Sequence, residues 1–221
     1  MTKPRVKETD QGIQGAQIVE IYDRFQRGMR DRGWIETDAI IASGIQAGHA
    51  LELGPGPGYV GLEWLKKTQA TRLTGLDISQ DMLQIAGRNA AAYGLAGRVE
   101  YVHSNGDQIP FEDGFFDAAF SNGSLHEWEH PVSIFNEMAR VVKPGGRVFI
   151  ADLKRDMVAP LRWFLWLSCR PAAIRPGLLS SIGAAYTADE LAELVRLSAL
   201  SGCKISANPI GLTLSGVLSA R

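Results

Sequence analysis

The sequence predicts an α/β fold built on a doubly wound, mostly parallel sheet. Short apolar runs of strand length alternate with segments of helical spacing about five times between residues 46 and 153. This alternation is typical of parallel strands joined by crossover helices. After residue 187, one more helical pattern precedes two strand-like runs that a turn connects. We therefore expect seven strands, of which the last is antiparallel.

The ends of the predicted elements follow from residues that start or stop helices and strands. Ser79 is a favoured N-cap residue, and Pro131 fits the first turn of a helix. Thr187 and Glu190 have the spacing of a capping box, which predicts the start of a late helix. The sequence predicts strands over residues 50–53, 72–77, 99–103, 116–121, 147–152, 204–208 and 212–219.

Residues 1–45 precede the alternation and are predicted to form a helical lid. The polar stretch over residues 1–11 is expected to be frayed. Apolar residues then recur at helical spacing from Ile13 to Trp34, with charged residues between them. Two interpretations remain open: a helix packed on the edge of the domain, or a lid over a ligand with Tyr22 inside.

Residues 154–186 interrupt the alternation with an irregular pattern that is rich in aromatic residues and proline. An apolar run at its centre contains Trp163, Phe164 and Trp166, and it predicts a substrate-pocket insertion with apolar walls. A buried helix or a dimer contact accounts for the same run equally well. Because three arginines lie nearby, contact with a membrane surface is a further, less favoured option. Residues 187–221 complete the domain.

Composition limits the classes of function. The 221 residues carry 23 basic and 24 acidic side chains with no basic block, which argues against nucleic acid as a partner. The length and a hydrophobic content of 45 % fit one domain with a sizeable core. Cys169 and Cys203 lie far apart, which fits a reducing compartment and gives no metal-ligand spacing. Since the sequence has no apolar signal core and no membrane-length apolar run, we expect a cytoplasmic protein.

A glycine-rich turn joins the first predicted strand to the first helix. Glycines let a ligand approach the backbone closely, and the free N–H groups of the following helix point at whatever lies over the turn. Residues 56–61 satisfy G-x-G-x-x-G, the dinucleotide pattern, but its first glycine should follow the strand directly. The better fit is Glu52 followed by Gly54, Gly56 and Gly58 at alternate positions. A carboxylate suits a cationic group such as an α-ammonium, which favours adenosylmethionine over a dinucleotide.

Polar residues also follow the other predicted strands. Asp77 ends the second strand, Asp107 follows the third, and Asn122 and then His126 follow the fourth. Asp152 ends the fifth. Because ligands of open α/β sheets bind beyond the carboxyl ends of the strands, these side chains are expected around one crevice. Taken singly, Asp77 could be a helix cap, Asp107 a solvated loop residue and Asp152 a turn residue.

Five stretches together resemble one known family. They are residues 51–58 (Leu-Glu-Leu-Gly-Pro-Gly-Pro-Gly), 75–79 with Met82, 106–111, 125–131 and 142–146. In this order and spacing, over residues 48–153, the chain resembles class I S-adenosylmethionine-dependent methyltransferases of the small-molecule type, methyltransferase domain 11. The resemblance implies a Rossmann-like fold, S-adenosylmethionine as cofactor, S-adenosylhomocysteine as its product and no metal.

The resemblance implies a role for each matching position. The methionine part of the cofactor would be held by Tyr22, Glu52, Gly54, Gly56 and Gly58. The adenosine part would be held by Asp77 on the ribose hydroxyls, by Ile78 and Met82 on the adenine ring, and by Gly106, Asp107 and Gln108 at its polar edge. Asn122 would line the methyl-transfer end. The motifs of DNA adenine and cytosine methylation are absent after the fourth strand.

A general base is needed only when the methyl acceptor carries a proton. His126 is the first candidate because imidazole titrates near neutrality, and His130, Glu127 and Asp152 follow. A purely structural His126 stays open. The acceptor is expected to be a small apolar or aromatic molecule, and the protein a monomer or homodimer. The rival hypotheses are an NAD(P)-dependent oxidoreductase and a non-catalytic adenosylmethionine-binding protein.

Overall fold

The computed structural model describes residues 4–8 and 12–219, and seven strands within these ranges form one sheet. The strands are β1 (His49–Leu53), β2 (Arg72–Asp77), β3 (Val99–His103), β4 (Phe116–Asn122), β5 (Val142–Leu153), β6 (Lys204–Ala207) and β7 (Gly211–Val217). They lie in the order β3-β2-β1-β4-β5-β7-β6. The first five are parallel, and β7 is antiparallel to β5 and β6. The predicted fold class, with its antiparallel last strand, is confirmed.

Helices pack around this sheet. They are α1 (Ala16–Asp31), α2 (Thr37–Ala42), α3 (Tyr59–Lys67), α4 (Gln80–Ala92), α5 (Pro131–Val141), α6 (Ala159–Ser168), α7 (Arg175–Ala184) and α8 (Ala188–Arg196). The chain runs from β1 outward to β3 and then returns to the other side of β1 with β4. This reversal of strand order opens a crevice at the carboxyl ends of β1 and β4, where open α/β sheets bind ligands.

Both faces of the central strands are buried, as expected for parallel strands covered by helices on each side. On one face, Leu51 belongs to a cluster with Phe135 of α5. On the other face, Ala50 belongs to a cluster with Trp64 of α3 and Phe120 of β4. The carboxyl edge of the sheet is therefore held rigidly, so side chains at the strand ends have fixed positions.

Two predicted helix signals are confirmed, and one strand boundary is corrected. The helix after Pro131 ends at Val141, as the following Lys-Pro-Gly-Gly predicts. Thr187 and Glu190 form the predicted capping box at the start of α8. However, β5 begins at Val142 rather than at residue 147, because Val142 already pairs with Phe116 across a shift in register.

The prediction that residues 154–186 are irregular is wrong, since they contain α6 and α7. Pro160 and Pro176 lie in the first turn of α6 and of α7, where a missing N–H costs nothing, and only Pro171 lies between the two helices. The buried-helix alternative is also wrong, because α6 has no buried residue. No helix in the described ranges is long and apolar enough to cross a membrane.

The described part of the N-terminus is bound to the domain rather than frayed. The Val6 N–H donates to the Gly183 carbonyl at 3.1 Å, and the Arg5 side chain donates to the His126 carbonyl at 2.9 Å. The rest of the expected frayed stretch, residues 1–3 and 9–11, lies outside the described residues. Residues 12–15, which we call the strap, then lead into α1, and the Ser79 hydroxyl donates to the Ile13 carbonyl at 2.6 Å.

Candidate active site

A cavity of about 450 Å³ lies at the carboxyl ends of β1, β2 and β4, where the strand order reverses. Its walls come from the glycine turn after β1, the end of β2, the loops after β3 and β4, helix α1 and the strap. The predicted site residues among its lining are Tyr22, Gly54, Gly56, Asp77, Ile78, Met82, Gly106 and Asp107. Most of the residues predicted to hold a cofactor are thus brought together in one cavity.

The glycine turn forms one wall of the cavity through its backbone. Gly54 and Gly56 line the cavity and have φ angles of 66° and 51°, which side chains disfavour. A Cβ on Gly54 would lie 2.6 Å from the Ser124 hydroxyl. Gly58, at φ 85°, is not among the lining residues, and a Cβ there would lie 2.6 Å from the Tyr101 hydroxyl. Gly54 and Gly56 therefore present backbone to the cavity, while Gly54 and Gly58 also leave room for the neighbouring side chains of Ser124 and Tyr101.

Asp77 joins two turns at the edge of the cavity. One carboxylate oxygen accepts from the Gly56 N–H at 3.0 Å, and the other accepts from the Ser79 N–H at 2.9 Å. Burial raises the pKa of Asp77, while these backbone hydrogen bonds oppose the rise. The helix-cap role belongs to Ser79, whose hydroxyl accepts from the Met82 N–H at 3.2 Å. A carboxylate has about four acceptor positions, so Asp77 retains capacity for a further donor such as a ribose hydroxyl.

The structure places Glu52 outside the cavity lining, beneath the glycine turn. Its Oε2 atom is buried, and no described residue gives that atom a hydrogen-bond partner. Burial raises the pKa of Glu52 to about 8, with a backbone hydrogen bond from Gly61 to the carboxyl group opposing the shift. At neutral pH this carboxyl group is therefore mostly protonated and uncharged. The role of Glu52 toward the α-ammonium of a ligand stays a prediction.

Acidic and apolar features mark the far end of the cavity as suitable for adenine. Ile78 and Met82 offer apolar contacts on one side. Asp107 Oδ1 is buried without a partner among the described residues, and Asp107 Oδ2 lies 3.3 Å from His130 Nδ1. A free acceptor of this kind suits the exocyclic amine of adenine. Gln108 is not among the lining residues, and its backbone N–H donates to the Asn105 carbonyl at 3.2 Å.

Tyr22 lies inside the cavity, as the lid interpretation of α1 expects. The Tyr22 ring is 3.6 Å from the position of a Cβ on Gly56, and its hydroxyl accepts from Gln26 at 2.9 Å. Burial raises the pKa of Tyr22, and the charge of Glu127 raises it further. Tyr22 is therefore a neutral hydrogen-bond donor at neutral pH.

The position of Tyr22 depends on its neighbour Asp23, which sequence reasoning missed. Asp23 is fully buried and accepts hydrogen bonds from Tyr59 at 2.9 Å and from Asn89 at 2.8 Å. These contacts fix α1 to α3 and α4. The sequence offered no clear signal for this role, because the neighbours of Asp23 at helical spacing include Glu20, Gln26 and Arg27, which are typical of an exposed face.

His126 and Asp152 form a buried pair behind the cavity wall. His126 Nδ1 lies 2.9 Å from both Asp152 oxygens, and the His126 N–H donates to Asp152 Oδ2 at 2.7 Å. Burial opposes charge on the ring, but Asp152, Glu127 and Glu8 together raise the pKa of His126 to about 9. Neither member of the pair is among the lining residues. His126 is thus a cation at neutral pH, which makes it a poor proton acceptor.

Glu127 is the neighbouring group that does reach the cavity. Its Oε1 lies 3.9 Å from His126 Nε2, and burial raises the pKa of Glu127 to about 7. The loop after β4 also contributes Ser124 and Gly123 to the lining, whereas Asn122 is not among the lining residues and stays paired with Ala151 in the sheet. The sequence ranked Glu127 after His126 as a candidate general base, because imidazole titrates near neutrality. Burial raises the pKa of Glu127 and reverses this ranking, but burial cannot be read from the sequence.

The same corner contains the potential metal ligands of the described residues. Glu8, His126 and Glu127 each offer a ligand atom, all within 4.8 Å of one another. His126 could bind a metal only after losing a proton that the surrounding carboxylates stabilise. The expectation that no metal is needed stays a prediction.

Comparison with known proteins agrees with this geometry. Residues 51–150 match the model of a family described as a methyltransferase domain. The ubiquinone/menaquinone biosynthesis C-methyltransferase UbiE of Photorhabdus laumondii is 29 % identical over 125 residues, which are 56 % of this chain and 50 % of that protein. The chain thus spans about half the length of the curated relatives it matches.

Solved structures agree in fold over nearly the whole chain. A structure from Methanococcus maripaludis, assigned to the S-adenosyl-L-methionine-dependent methyltransferases, has a TM-score of 0.75 at 21 % identity and covers 99 % of this chain and 98 % of its own. A methyltransferase of the same cofactor class from Aquifex aeolicus has a TM-score of 0.68 at 17 % identity, covering 93 % and 100 %. These two likenesses show the fold. Together with the family match, they show a Rossmann-like methyltransferase fold in which residues 51–150 match the methyltransferase domain.

Proposed function

We propose that this chain transfers the methyl group of S-adenosylmethionine to a small apolar or aromatic acceptor. The observation that carries the proposal is the cavity at the strand-order reversal, with a glycine backbone in its wall and Asp77 and Asp107 in its lining. A nucleoside with a cationic amino-acid tail matches this arrangement. The proposal also includes a cytoplasmic location, a monomer or homodimer as the oligomeric state, and methyl transfer as the activity of the whole chain.

The lining residues can be given roles toward the cofactor. Asp77 would accept hydrogen bonds from the ribose hydroxyls, and Asp107 Oδ1 from the adenine amine. Met82 and Ile78 would pack against the adenine ring. Tyr22 would donate to the methionine carboxylate. Each role is supported by the position of the side chain in the cavity lining.

The charge of the cavity supports a sulfonium nucleoside over a dinucleotide. Its described lining residues include the carboxylates of Asp77, Asp107, Glu127 and Glu129, and among them is no lysine or arginine. A diphosphate would meet only like charge at these side chains, and the helix N-terminus at the glycine turn is its one favourable partner. The NAD(P)-dependent oxidoreductase is therefore the weaker hypothesis.

The reaction requires the protein mainly to position the acceptor and to exclude water. The sulfonium of the cofactor, when bound, supplies an activated methyl group. The chain must hold the acceptor in line with the S–CH₃ bond, and such positioning can lower a barrier by about 7–11 kcal/mol. Tyr22 of α1 and the strap residues Gly12, Ile13 and Gln14 line the cavity. They would limit access of water to the reacting atoms.

Where the acceptor carries a proton, we assign its removal to Glu127. Glu127 lines the cavity, and its pKa of about 7 suits proton transfer at neutral pH. His126, held as a cation by Asp152, would then act as a positioning residue that favours the ionised form of Glu127. This assignment moves the catalytic role one residue along from the histidine that the sequence suggested.

Titration calorimetry with S-adenosylmethionine and S-adenosylhomocysteine tests the proposal. We expect both to bind, and Asp77→Asn to weaken each by about tenfold or more, because hydrogen bonds to a charged acceptor are lost. The exposed Glu112, outside the cavity lining, provides the control, and Glu112→Gln should bind as the native protein does. Failure of both ligands to bind a folded protein would sink the proposal. Binding without turnover of any apolar acceptor would leave the non-catalytic alternative.

A further inference from the structure

Helix α6 presents its apolar side to the outside of the protein. Although most of its residues are apolar, none of the ten is buried. Trp163, Phe164 and Leu167 are 66 %, 51 % and 44 % exposed. Leu167 follows the other two by four and three residues, so the three side chains share one side of the helix. Most surface helices place apolar side chains inward, and α6 does the reverse.

A second element extends this apolar surface. Trp34, in the segment between α1 and α2, is 42 % exposed, and its ring centre lies 6.2 Å from that of Phe164. We call Trp34, Trp163, Phe164 and Leu167 the aromatic patch. Neighbouring large apolar side chains on a protein surface are uncommon unless something covers them. None of the four lines the cavity, so the patch is not the pocket wall that the sequence predicted.

The surroundings of the patch are positively charged. The sequence contains no aspartate or glutamate from residue 157 to residue 188, but it contains Arg162, Arg170 and Arg175. Arg162 and Arg170 are exposed. A fourth arginine, Arg32, lies over the Trp34 ring at 5.4 Å. The side of the patch formed by α6 is thus positively charged in a chain whose net charge is −1, while Asp31 and Asp38 lie on the side of Trp34.

We propose that the aromatic patch docks on the surface of an anionic lipid bilayer, with α6 lying in the plane of the interface. Tryptophan side chains favour the boundary between headgroups and acyl chains, and nearby arginines are attracted to anionic headgroups. A helix of ten residues is about 15 Å long, which is enough to lie in the interface and too short to cross it. The proposal does not depend on the methyl-transfer activity.

The charges argue against a second copy of the chain as the occupant. A two-fold contact through the patch would bring the arginines around one patch close to those around the other. Residues 157–188 contain no carboxylate that could pair with them, and Asp31 and Asp38, which flank Trp34, already pair with Arg30 and Lys67. An anionic bilayer instead offers acyl chains to the apolar side chains and negatively charged headgroups to the arginines.

Flotation of the full chain with lipid vesicles tests the proposal. We expect binding to vesicles of phosphatidylcholine mixed with phosphatidylglycerol, weaker binding to phosphatidylcholine alone, and a loss of binding as salt is raised. Trp163→Ser combined with Phe164→Ser should reduce binding by about tenfold or more, because both side chains lose apolar contact with the bilayer. Arg162→Gln should reduce binding to the anionic vesicles by about fivefold.

The control is Leu197→Ser, which removes an apolar side chain that is equally exposed but lies at the end of α8. It should bind vesicles as the native chain does, and circular dichroism should show that every variant is folded. The proposal fails if the native chain stays unbound with both vesicle types, or if Leu197→Ser loses as much binding as the double variant. A dimer in light scattering that Trp163→Ser dissociates, with no vesicle binding, would assign the patch to self-association instead.

Discussion

At the scale of single residues, burial decides which acid of the site is reactive. Glu52, Asp77 and Glu127 all have raised pKa values because each is withdrawn from water. The extent differs with their partners: backbone N–H groups favour the ionised form of Asp77, whereas Glu52 Oε2 has no described partner. Glu127 lies between these cases, with a cationic imidazole beside it. Of the two groups with a pKa near neutrality, Glu52 at about 8 and Glu127 at about 7, only Glu127 lines the cavity.

The raised pKa of Glu127 predicts a pH dependence of catalysis. A base must be ionised to accept a proton, so kcat/KM with a proton-bearing acceptor should rise with pH through about 7, the pKa of Glu127. Glu127→Gln should lower kcat/KM by about 10² or more and remove this rise. Steady-state rates across a pH series measure both effects.

The matched control for this experiment is Glu129, which also lines the cavity. Glu129→Gln should keep the rise near pH 7, because the proton acceptor that titrates there is Glu127. An unchanged pH profile in Glu127→Gln would show that another group, or none, removes the proton. Glu127→Gln should still bind S-adenosylmethionine, which separates proton removal from cofactor binding.

Individual residues also show why the sequence predicted the residues of the proposed cofactor site more fully than the proposed proton acceptor. Asp77 and Asp107 were identified because each follows a strand, and strand ends converge whatever the details of packing. Glu52 occupies such a position too, but its side chain turns beneath the glycine turn. The direction of a side chain and its burial depend on distant neighbours, such as Tyr101 and Gly61 for Glu52, which no local pattern reveals.

At the scale of elements, the glycine turn connects β1, α3 and the end of β2. Its positive φ angles let the chain leave β1 and enter α3 within a few residues, and Asp77 ties it to the end of β2. The turn was predictable because glycines at alternate positions are typical of a backbone that needs positive φ angles. The sequence did not predict that α6 is a helix, because a proline at the start of a helix and a proline in a loop look alike in sequence.

A pair of glycine substitutions separates the turn from helix propensity. Gly54→Ala forces a side chain into a backbone with φ 66° and to within 2.6 Å of Ser124, so it should destabilise the protein by about 1–3 kcal/mol and weaken cofactor binding strongly. Gly87→Ala lies within α4, where a Cβ meets nothing within 4 Å, and should stabilise by up to about 1 kcal/mol.

Urea unfolding and calorimetry provide the two measurements for this pair. Gly87→Ala should bind S-adenosylmethionine as the native protein does, because α4 keeps its backbone. If Gly54→Ala were as stable as the native protein and bound the cofactor equally well, the close approach to Ser124 would have no consequence. The glycine turn would then not be required for either stability or binding.

At the scale of the whole molecule, charge is distributed unevenly over a nearly neutral chain. The cavity lining contains four carboxylates and, among its described residues, no lysine or arginine. The segment from residue 157 to residue 188 has the opposite composition, with three arginines and no acid. The net charge of −1, which argues against a nucleic-acid partner, reveals neither region.

The acidic cavity predicts a difference between cofactor and product. S-adenosylmethionine carries one more positive charge than S-adenosylhomocysteine, so the cavity should attract it more strongly. Raising the salt concentration to about 0.5 M should weaken S-adenosylmethionine binding more than S-adenosylhomocysteine binding, because salt screens charge. Calorimetry of both ligands at low and high salt measures this ratio, and a ratio that does not change with salt would contradict it.

The strap lines the cavity and is hydrogen-bonded to the start of α4. The Ile13 carbonyl accepts from Ser79, and the Gly15 N–H donates to Asp81 at 2.8 Å, while Ile13 itself faces the cavity. If a bound cofactor product leaves on this side, these hydrogen bonds have to open before it departs. The pace of repeated turnover would then be set by how often a few hydrogen bonds at the start of α4 release.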